Sequence, residues 1–567
     1  MGPRSSIQLK FFLPWLFLAG LLALGLAGEP AWSDESIGSR GRGRGGAIAA
    51  GHPDSVAAGL RILRVGGNAA DAAAATLLAL AVSDYGSFAI GGEVPVLIYN
   101  ARTGQVKVLC GMGVAPRDPS AIDWFLTNGI PSQGSMKAAP TPGAVDLVVT
   151  LLREYGTISF SEAATPMLEL LDRGQADWHP RLARTIRRLV EAETQTSGQR
   201  PAKLQAVSDR FYKGDIADEL EQWYIATGAF LRKRDLASHV THIEDPVAVE
   251  YRGYTVYKCP TWSQGPVLCQ NLRLLEGFEL QRQGLLSADS IHHITEAMKL
   301  GYADRDDYYG DPLFTAVPVN QLFSDEYTRK RRTLIDPARA SLERRPGDPW
   351  RMEALRPIPP DGPVAERKPT QDTTTCVVAD RWGNVVAATP SCNMLTNTPG
   401  PSGVNTGNRV RSLNTAPGHP NQIHPGKRPR ITLTPTLVLR HRKPVAAVSV
   451  AGGDLQDQTT LQVLINHIDF GLPAFESVST PRFYTLHHQD SFNPHPDRRE
   501  AVVGLGKLVV NEQIAPDIRE ELARRGHLVS TSSSPVGNPV MITIDPTTGQ
   551  LEAAGDPRAG RHAAAID

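Results

Sequence analysis

Residues 372–389 read DTTTCVVADRWGNVVAAT. Thr373 to Asp380 is β-branched and apolar, Arg381-Trp382-Gly383-Asn384 has turn chemistry, and Val385 to Thr389 resumes strand pattern, so the stretch predicts a β-hairpin. Directly before it, residues 345–371 (RPGDPWRMEALRPIPPDGPVAERKPTQ) are rich in proline and charge without apolar periodicity, which predicts an exposed connector. A threonine opening a strand behind such a connector raises a chemical question. Its hydroxyl is a poor nucleophile until a base removes the proton. If the chain is cut at Asp372–Thr373, the new α-amino group lies beside the hydroxyl and can act as that base. With an unperturbed pKa of about 7.7–8.0, the amine is substantially neutral near physiological pH. One residue, Thr373, would then supply nucleophile and base.

Working outward, strands are expected at Thr434–Leu439, Val445–Val450 and Leu508–Val510, helices at 456–468 and 515–525, and a last hairpin over 540–553. Upstream, HPDSVAAGLRILRVGGNAADAAAATLLALAVSD (52–84) has helical spacing, with Pro53 at a start and Gly66-Gly67-Asn68 as a break. Val94–Tyr99 and Val106–Leu109 read as a hairpin, residues 143–240 as mostly helical, Tyr251–Tyr257 as a strand and Ile291–Asp304 as an amphipathic helix. Residues 36–46 (SIGSRGRGRGG) read as a mobile Gly/Arg spacer, so ordered structure is expected from about Ala47.

The chain has 567 residues, with 59 Lys+Arg against 59 Asp+Glu, a balance that argues against a nucleic-acid or anionic-membrane surface. Its hydrophobic share, 41%, excludes wholesale disorder. Cys110, Cys259, Cys269, Cys376 and Cys392 form neither a CxxC pair nor a disulfide framework. Arg4 and Lys10 precede an apolar run, Phe11 to Gly28, that reads as a secretory signal, with an uncleaved membrane anchor as the alternative. The expected order is therefore 1–28 signal or anchor, 29–46 spacer, 47–372 a large region ending in the connector, and 373–567 a smaller region bearing the nucleophile. Export to the periplasm or medium follows, with membrane contact only if residues 1–28 stay attached.

Other stretches carry a resemblance. HPDSVAAGLRILRVGGNAADAAAA, IGGEVPVLIYNARTGQV, TPGAVDLVVTLLREYGTISFSEAATPMLEL, LRLLEGFEL, ITEAMKLGYADRDDYYGDP and LIDPARA precede the hairpin. TTTCVVADRWGNVVAAT, HPGKRPRITLTPTLVL, SVAGGDLQDQTTLQVLINHIDFG and STPRF follow in order. Together they resemble the γ-glutamyltranspeptidase family of N-terminal-nucleophile hydrolases. The resemblance implies an α+β fold, a four-layer αββα sandwich built from a large and a small fragment of one self-cleaving precursor. It implies Thr373 as nucleophile, Ser391 as the hydroxyl bonded to it, Asn393 as a substrate contact, and Gly452-Gly453 as the pair whose amides receive the oxyanion. It implies an amide substrate, with water or an acceptor amine resolving the acyl-enzyme, and neither cofactor nor metal.

The chain departs from the family pattern where the substrate is gripped. Met112 stands at the family's carboxylate-binding arginine, Thr432 is one possible hydroxyl where the family has paired serines, and Thr415-Ala416-Pro417-Gly418 lacks the acid expected after Leu413-Asn414. Thr375 and Cys376 replace a histidine and an aromatic residue beside the cleavage bond. Losing two charged anchors, at roughly 1.5–3 kcal/mol each, would weaken γ-glutamyl binding by about 10²–10⁴-fold. Arg117, Arg409, Arg411 and Arg430 are candidate replacement cations. Three readings follow: a γ-glutamyl hydrolase or transferase acting on glutathione-like amides, an acylase of another amide on the same scaffold, and an unprocessed binding protein.

Remaining signals have plain readings. His487-His488 with Asp490, His495 and Asp497 looks like a metal cluster but lies in a proline-rich loop, and His292/Glu296 is a helical pair without an evident third ligand. Cys376 and Cys392 read as packing, Trp382 as a plug in the turn, and Gly91-Gly92 precedes a strand, the reverse of a phosphate loop.

Overall fold

The structure is a computed structural model that describes residues 2, 37–131, 134–358, 373–392, 394, 399–492, 494 and 502–567. Among these, the main strands form two antiparallel seven-stranded sheets. The first runs His562–Ile566, Gly46–Ala50, Cys376–Asp380, Val385–Ala388, Val94–Asn100, Gln105–Gly111, His242–Glu244. The second runs Arg40–Gly43, Leu551–Gly555, Asn538–Ile544, Lys443–Ala451, Thr436–Arg440, Tyr254–Lys258, Val247–Tyr251.

Three apolar layers hold the sheets. Ala47, Ala49, Leu97, Val377 and Ala387 of the first sheet meet Leu437, Ala447, Val540 and Ile542 of the second. The first sheet's other face packs on the helices Pro53–Arg64, Ala69–Ser83 and Ala144–Tyr155. The second packs on Pro266–Leu275, Ala288–Tyr308 and Leu455–Ile468. Alternating strand residues thus face a helix layer or the opposite sheet, and burial on both sides makes the strands nearly all apolar. This is the expected αββα sandwich. Segments on both sides of position 373 alternate within both sheets, so a cut there leaves the two pieces interleaved through backbone hydrogen bonds.

The break at Gly66-Gly67-Asn68 is a helix start. The Asn68 side chain accepts from Ala70 and Asp71 amides, and Asp71 reaches back to the Asn68 amide.

Several expectations are corrected. The Gly/Arg stretch is not a mobile spacer throughout: Arg40–Gly43 is an edge strand in register with Leu551–Ala554. A Cβ on Gly41 would stand 2.5 Å from the Ala565 nitrogen, and one on Gly43 2.3 Å from the Ile566 carbonyl. The glycines serve close backbone approach there. Tyr251–Tyr257 is two strands turning at Arg252-Gly253, where φ is 52° and 79°. The Ala288–Tyr308 helix is buried around nearly its whole circumference rather than along one stripe. The connector's first part is anchored, with Arg345 on Glu296 at 2.7 Å and Arg356 paired with Asp307. Trp382 is half exposed under the Arg381 guanidinium, not a plug. The signal segment 1–28, residues 29–36 of the spacer and residues 359–371 of the connector lie outside the described residues, apart from Gly2.

Candidate active site

The hairpin that carries Thr373 is tied at its far end by one carboxylate. Asp380 Oδ1 accepts from the Trp382 and Asn384 amides, both at 2.9 Å. Its Oδ2 accepts from Asn384 Nδ2 at 2.8 Å and from the amide of Ala69, at a helix start, at 2.9 Å. Gly383 supplies the φ of 86° that closes the turn.

At the other end, three strands continue one row. Thr373 bridges Ser391, and Ser391 bridges Glu93 with reciprocal bonds of 3.0 and 2.8 Å. Val94 opposes Gly111, so one residue further along Met112 opposes Glu93. Cross-strand partners project to the same face. Val377, Ala387, Leu97 and Cys110, at even spacing from these row members, all lie between the sheets, so the row Thr373–Ser391–Glu93–Met112 faces that layer. At about 4.8 Å per strand, Met112 lies three steps, roughly 14 Å, from Thr373.

Thr373 is 2% exposed. Its hydroxyl faces that of Ser391 at 3.5 Å, longer than a formed O–H···O bond of about 2.8 Å. Arg561 donates to the Thr373 carbonyl at 3.4 Å and lies 3.6 Å from Asp84. Arg409 donates through Nη2 to Ser391 Oγ at 3.2 Å and forms a buried ion pair through Nε with Glu93. Gly91 and Gly92 pack this corner: a Cβ on Gly92 would sit 2.4 Å from the Ser391 carbonyl.

Gly452-Gly453 follows the Lys443–Ala451 strand and precedes the helix Leu455–Ile468. Their φ values, 143° and 58°, lie where L side chains are strained. Their amides stand at a helix N-terminus, whose dipole favours negative charge. Ser449 Oγ meets Thr389 Oγ1 at 2.9 Å across the two sheets. Ser391 and Gly452 are two and three residues beyond that contact.

Asp454 locks the glycine turn, accepting from Arg305 Nη1 at 2.6 Å and from the Ser491 amide and hydroxyl at 3.0 and 2.6 Å. Burial would raise its carboxyl, but Arg305 and the Ser491 bonds outweigh this and bring it down to about 2. None of these partners was legible in the sequence.

Of the candidate cations, Arg409 is joined to the Thr373 row by a contact on Ser391. Arg411 lies over the same Phe492 ring as Arg409, each at 5.2 Å. Arg430 is buried against Asp306 and Ser491, and Arg117 donates to Ser238 Oγ at 2.7 Å on the surface. Met112, 2% exposed, lines a cavity of about 300 Å³ with Val114, Arg117, His239, Phe314 and Arg428. Thr432 is buried just before the Thr436–Arg440 strand. Asp372 and Asn393 lie outside the described residues.

His292 and Glu296 do gain a third neighbour, His527, with His292 Nδ1 2.9 Å from His527 Nε2. The set suits a cation poorly, because the Glu296 oxygens already hold Lys299 and Arg345, each at 2.7 Å. Burial and then the nearby Lys299 push His527 down to about 2. His487 and His488 are structural: His487 Nδ1 accepts from the Gly506 amide at 3.0 Å and His488 stacks on Tyr302, while His495 and Asp497 lie outside the described residues. Burial pushes the Cys376 thiol far above its ordinary value, the opposite of an activated thiolate.

Known proteins are similar to this chain over most of its length. The family described as Gamma-glutamyltranspeptidase matches residues 55–197 and 175–566. The glutathione hydrolase proenzyme of Escherichia coli (strain K12) is 30% identical, covering 91% of this chain and 91% of its own. The acylase ACY 1 proenzyme of Pseudomonas sp. (strain SE83) is 28% identical over 89% and 90%. The crystal structure of cephalosporin acylase from Bacillus halodurans superposes with a TM-score of 0.76 at 26% identity, covering 95% of this chain and 99% of that one. A match across nearly the whole described chain, on an αββα sandwich, means that this chain belongs to the γ-glutamyltranspeptidase family.

Proposed function

We propose that the chain is a proenzyme that cuts its own Asp372–Thr373 bond and then works as a γ-glutamyltranspeptidase-type hydrolase or acyltransferase through Thr373. The observation that carries this is the Thr373–Ser391–Glu93 row at the end of the hairpin. In self-cleavage the Thr373 hydroxyl attacks the Asp372 carbonyl carbon, the C–N bond breaks as the nitrogen takes the proton, and water hydrolyses the resulting ester. Thr373 is left with the amine released when the C–N bond broke and the hydroxyl released with the ester. In turnover the amine takes the hydroxyl proton and the oxygen attacks an amide carbonyl. Gly452 and Gly453 amides hold the oxyanion, and the leaving amine departs with the proton. Water or an acceptor amine then attacks the ester and releases acid or a new amide. Ser391 orients the nucleophile, and Asn393 and Thr432 contact the acyl group.

Glutathione-like γ-glutamyl amides are the first substrate class. An acylase acting on another amide is the second reading, favoured by Met112: a buried apolar side chain stands where the family pattern has a carboxylate-binding cation. Residues 1–28 are proposed to direct export. No helix among the described residues is long and apolar enough to cross a membrane.

Intact mass of protein lacking residues 1–28, beside Thr373→Ala, is the test. Two fragments splitting before Thr373, absent in the variant, are expected. One uncut mass in both would remove the proposal. A panel of γ-glutamyl and simple acyl anilides then separates the two substrate readings.

A further inference from the structure

We infer that Arg409, compensated by Glu93, is a positioning residue that sets the Ser391 hydroxyl toward the nucleophile; this rests on the reading of Thr373 as that nucleophile. Glu93 and Ser391 are bridged neighbours in the row, so their side chains emerge side by side on the face between the sheets. Arg409 comes from a separate turn, Arg409–Ser412, and holds both: Nε on the Glu93 carboxylate, Nη2 on Ser391 Oγ at 3.2 Å. Side-chain exposure is 1% for Arg409 and 3% for Glu93, and the Phe492 ring closes one side of the guanidinium at 5.2 Å.

A planar fork fixed at one end by a carboxylate presents its other N–H in a set direction. Ser391 Oγ must accept that N–H, which occupies a lone pair and narrows the directions left for its own hydrogen. In the resting geometry Thr373 Oγ1 is the donor, aimed at Ser391 Oγ at 3.5 Å, so Ser391 can turn its own hydrogen toward Thr373 only once that proton has left. As Thr373 gives up its proton, a Ser391 O–H turned toward it stabilises the developing charge, and the positive end of the Glu93–Arg409 dipole lies behind that hydroxyl. The arrangement costs desolvation that an apolar pair of equal volume would avoid, so fold stability alone gives little reason for it.

Among the described residues, the other charges at this corner include Arg561, on the Thr373 carbonyl, its neighbour Asp84, and Arg411 across the Phe492 ring. Removing Arg409 alone takes a positive charge from beside the Glu93 carboxylate and makes the corner more negative. That should hold the proton on the Thr373 amine to higher pH.

The test uses the full chain with two probes that need no knowledge of the natural substrate. One is the rate of its own cleavage at Asp372–Thr373, and the other is the burst of nitrophenolate as p-nitrophenyl acetate acylates Thr373. Arg409→Met should slow both by about 10- to 100-fold and move the acid limb of the burst to higher pH. Arg409→Met with Glu93→Gln should return the limb to its wild-type position while the rates stay low. Arg409→Lys should recover part of the rate. In a Ser391→Ala background, Arg409→Met should cost little more, because both changes remove the same interaction. A double variant that is cut and acylated at the wild-type rate would overturn this inference and leave the proposed function standing. Wild-type protein that is neither cut nor acylated would overturn both. Should Arg409→Met fail to fold by circular dichroism, the decision passes to Arg409→Lys and the charge-free double variant, where wild-type burst rates again overturn it.

Discussion

Arg305 and Asp454 join at 2.6 Å and bind the first turn of the helix Leu455–Ile468 to the helix Ala288–Tyr308, behind Gly452-Gly453. Arg305 is wholly buried and also donates to Asp306 at 2.9 Å, Gln264 at 2.8 Å and the Gln489 carbonyl at 2.8 Å. Its guanidinium lies over Tyr302 at 4.4 Å, whose hydroxyl donates to the Asp454 carbonyl at 2.9 Å.

Arg305→Ala leaves two carboxylates buried without that cation, so a loss of about 3–5 kcal/mol in chemical denaturation is expected. Arg305→Lys keeps the charge but cannot span the same acceptors, and should fall between. A denaturation midpoint unchanged in both would mean the network adds nothing to the fold.

The same carboxylate predicts an acid dependence. Asp454 is lowered in the fold from its ordinary value to about 2. Its contribution to stability is therefore present above the ordinary Asp range and lost as pH falls through about 2, at about 1.4 kcal/mol per pKa unit. The thermal midpoint of the protein should drop between about pH 4 and pH 2. Asp454→Asn should start lower and show a shallower drop, with Asp306, also lowered, providing part of what remains.

Asp380→Ala removes an acceptor from the Trp382, Asn384 and Ala69 amides together. A stability loss of about 2–4 kcal/mol is expected from unpaired donors at a part-buried turn. Self-cleavage should slow as well, since the hairpin aligns Thr373. Asp380→Asn keeps one acceptor and should be milder on both readouts.

Met112→Arg tests what the row reads in a substrate. The ratio of kcat/KM for a γ-glutamyl anilide to that for an acyl anilide lacking the α-carboxylate should rise about tenfold, the worth of one charge-assisted hydrogen bond. An unchanged ratio would mean that position 112 does not contact the acyl group.

Some of this protein could be read along the chain. The hairpin over 373–389, the helix break at Asn68, the hairpin 94–109 and the glycine pair between strand and helix are local patterns, where alternation, caps and turn residues act within a few positions. Family resemblance implied roles for Thr373, Ser391 and the glycines, because their spacing matches the family pattern while their neighbours differ from it.

What the sequence by itself determined, then, was the sandwich and the hairpin that carries Thr373. Tertiary structure decided what surrounds it. Arg40–Gly43 has the composition of a loose linker and becomes a strand only because Leu551–Ala554 offers an edge and its glycines clear the Ala564–Ile566 backbone. Arg409 and Glu93 are 316 residues apart, and Arg305 and Asp454 149 apart. A buried arginine looks like a surface arginine in the sequence. Whether it leaves water depends on carboxylates delivered from other strands and helices, because only a partner within hydrogen-bond reach offsets the cost of desolvating the charge.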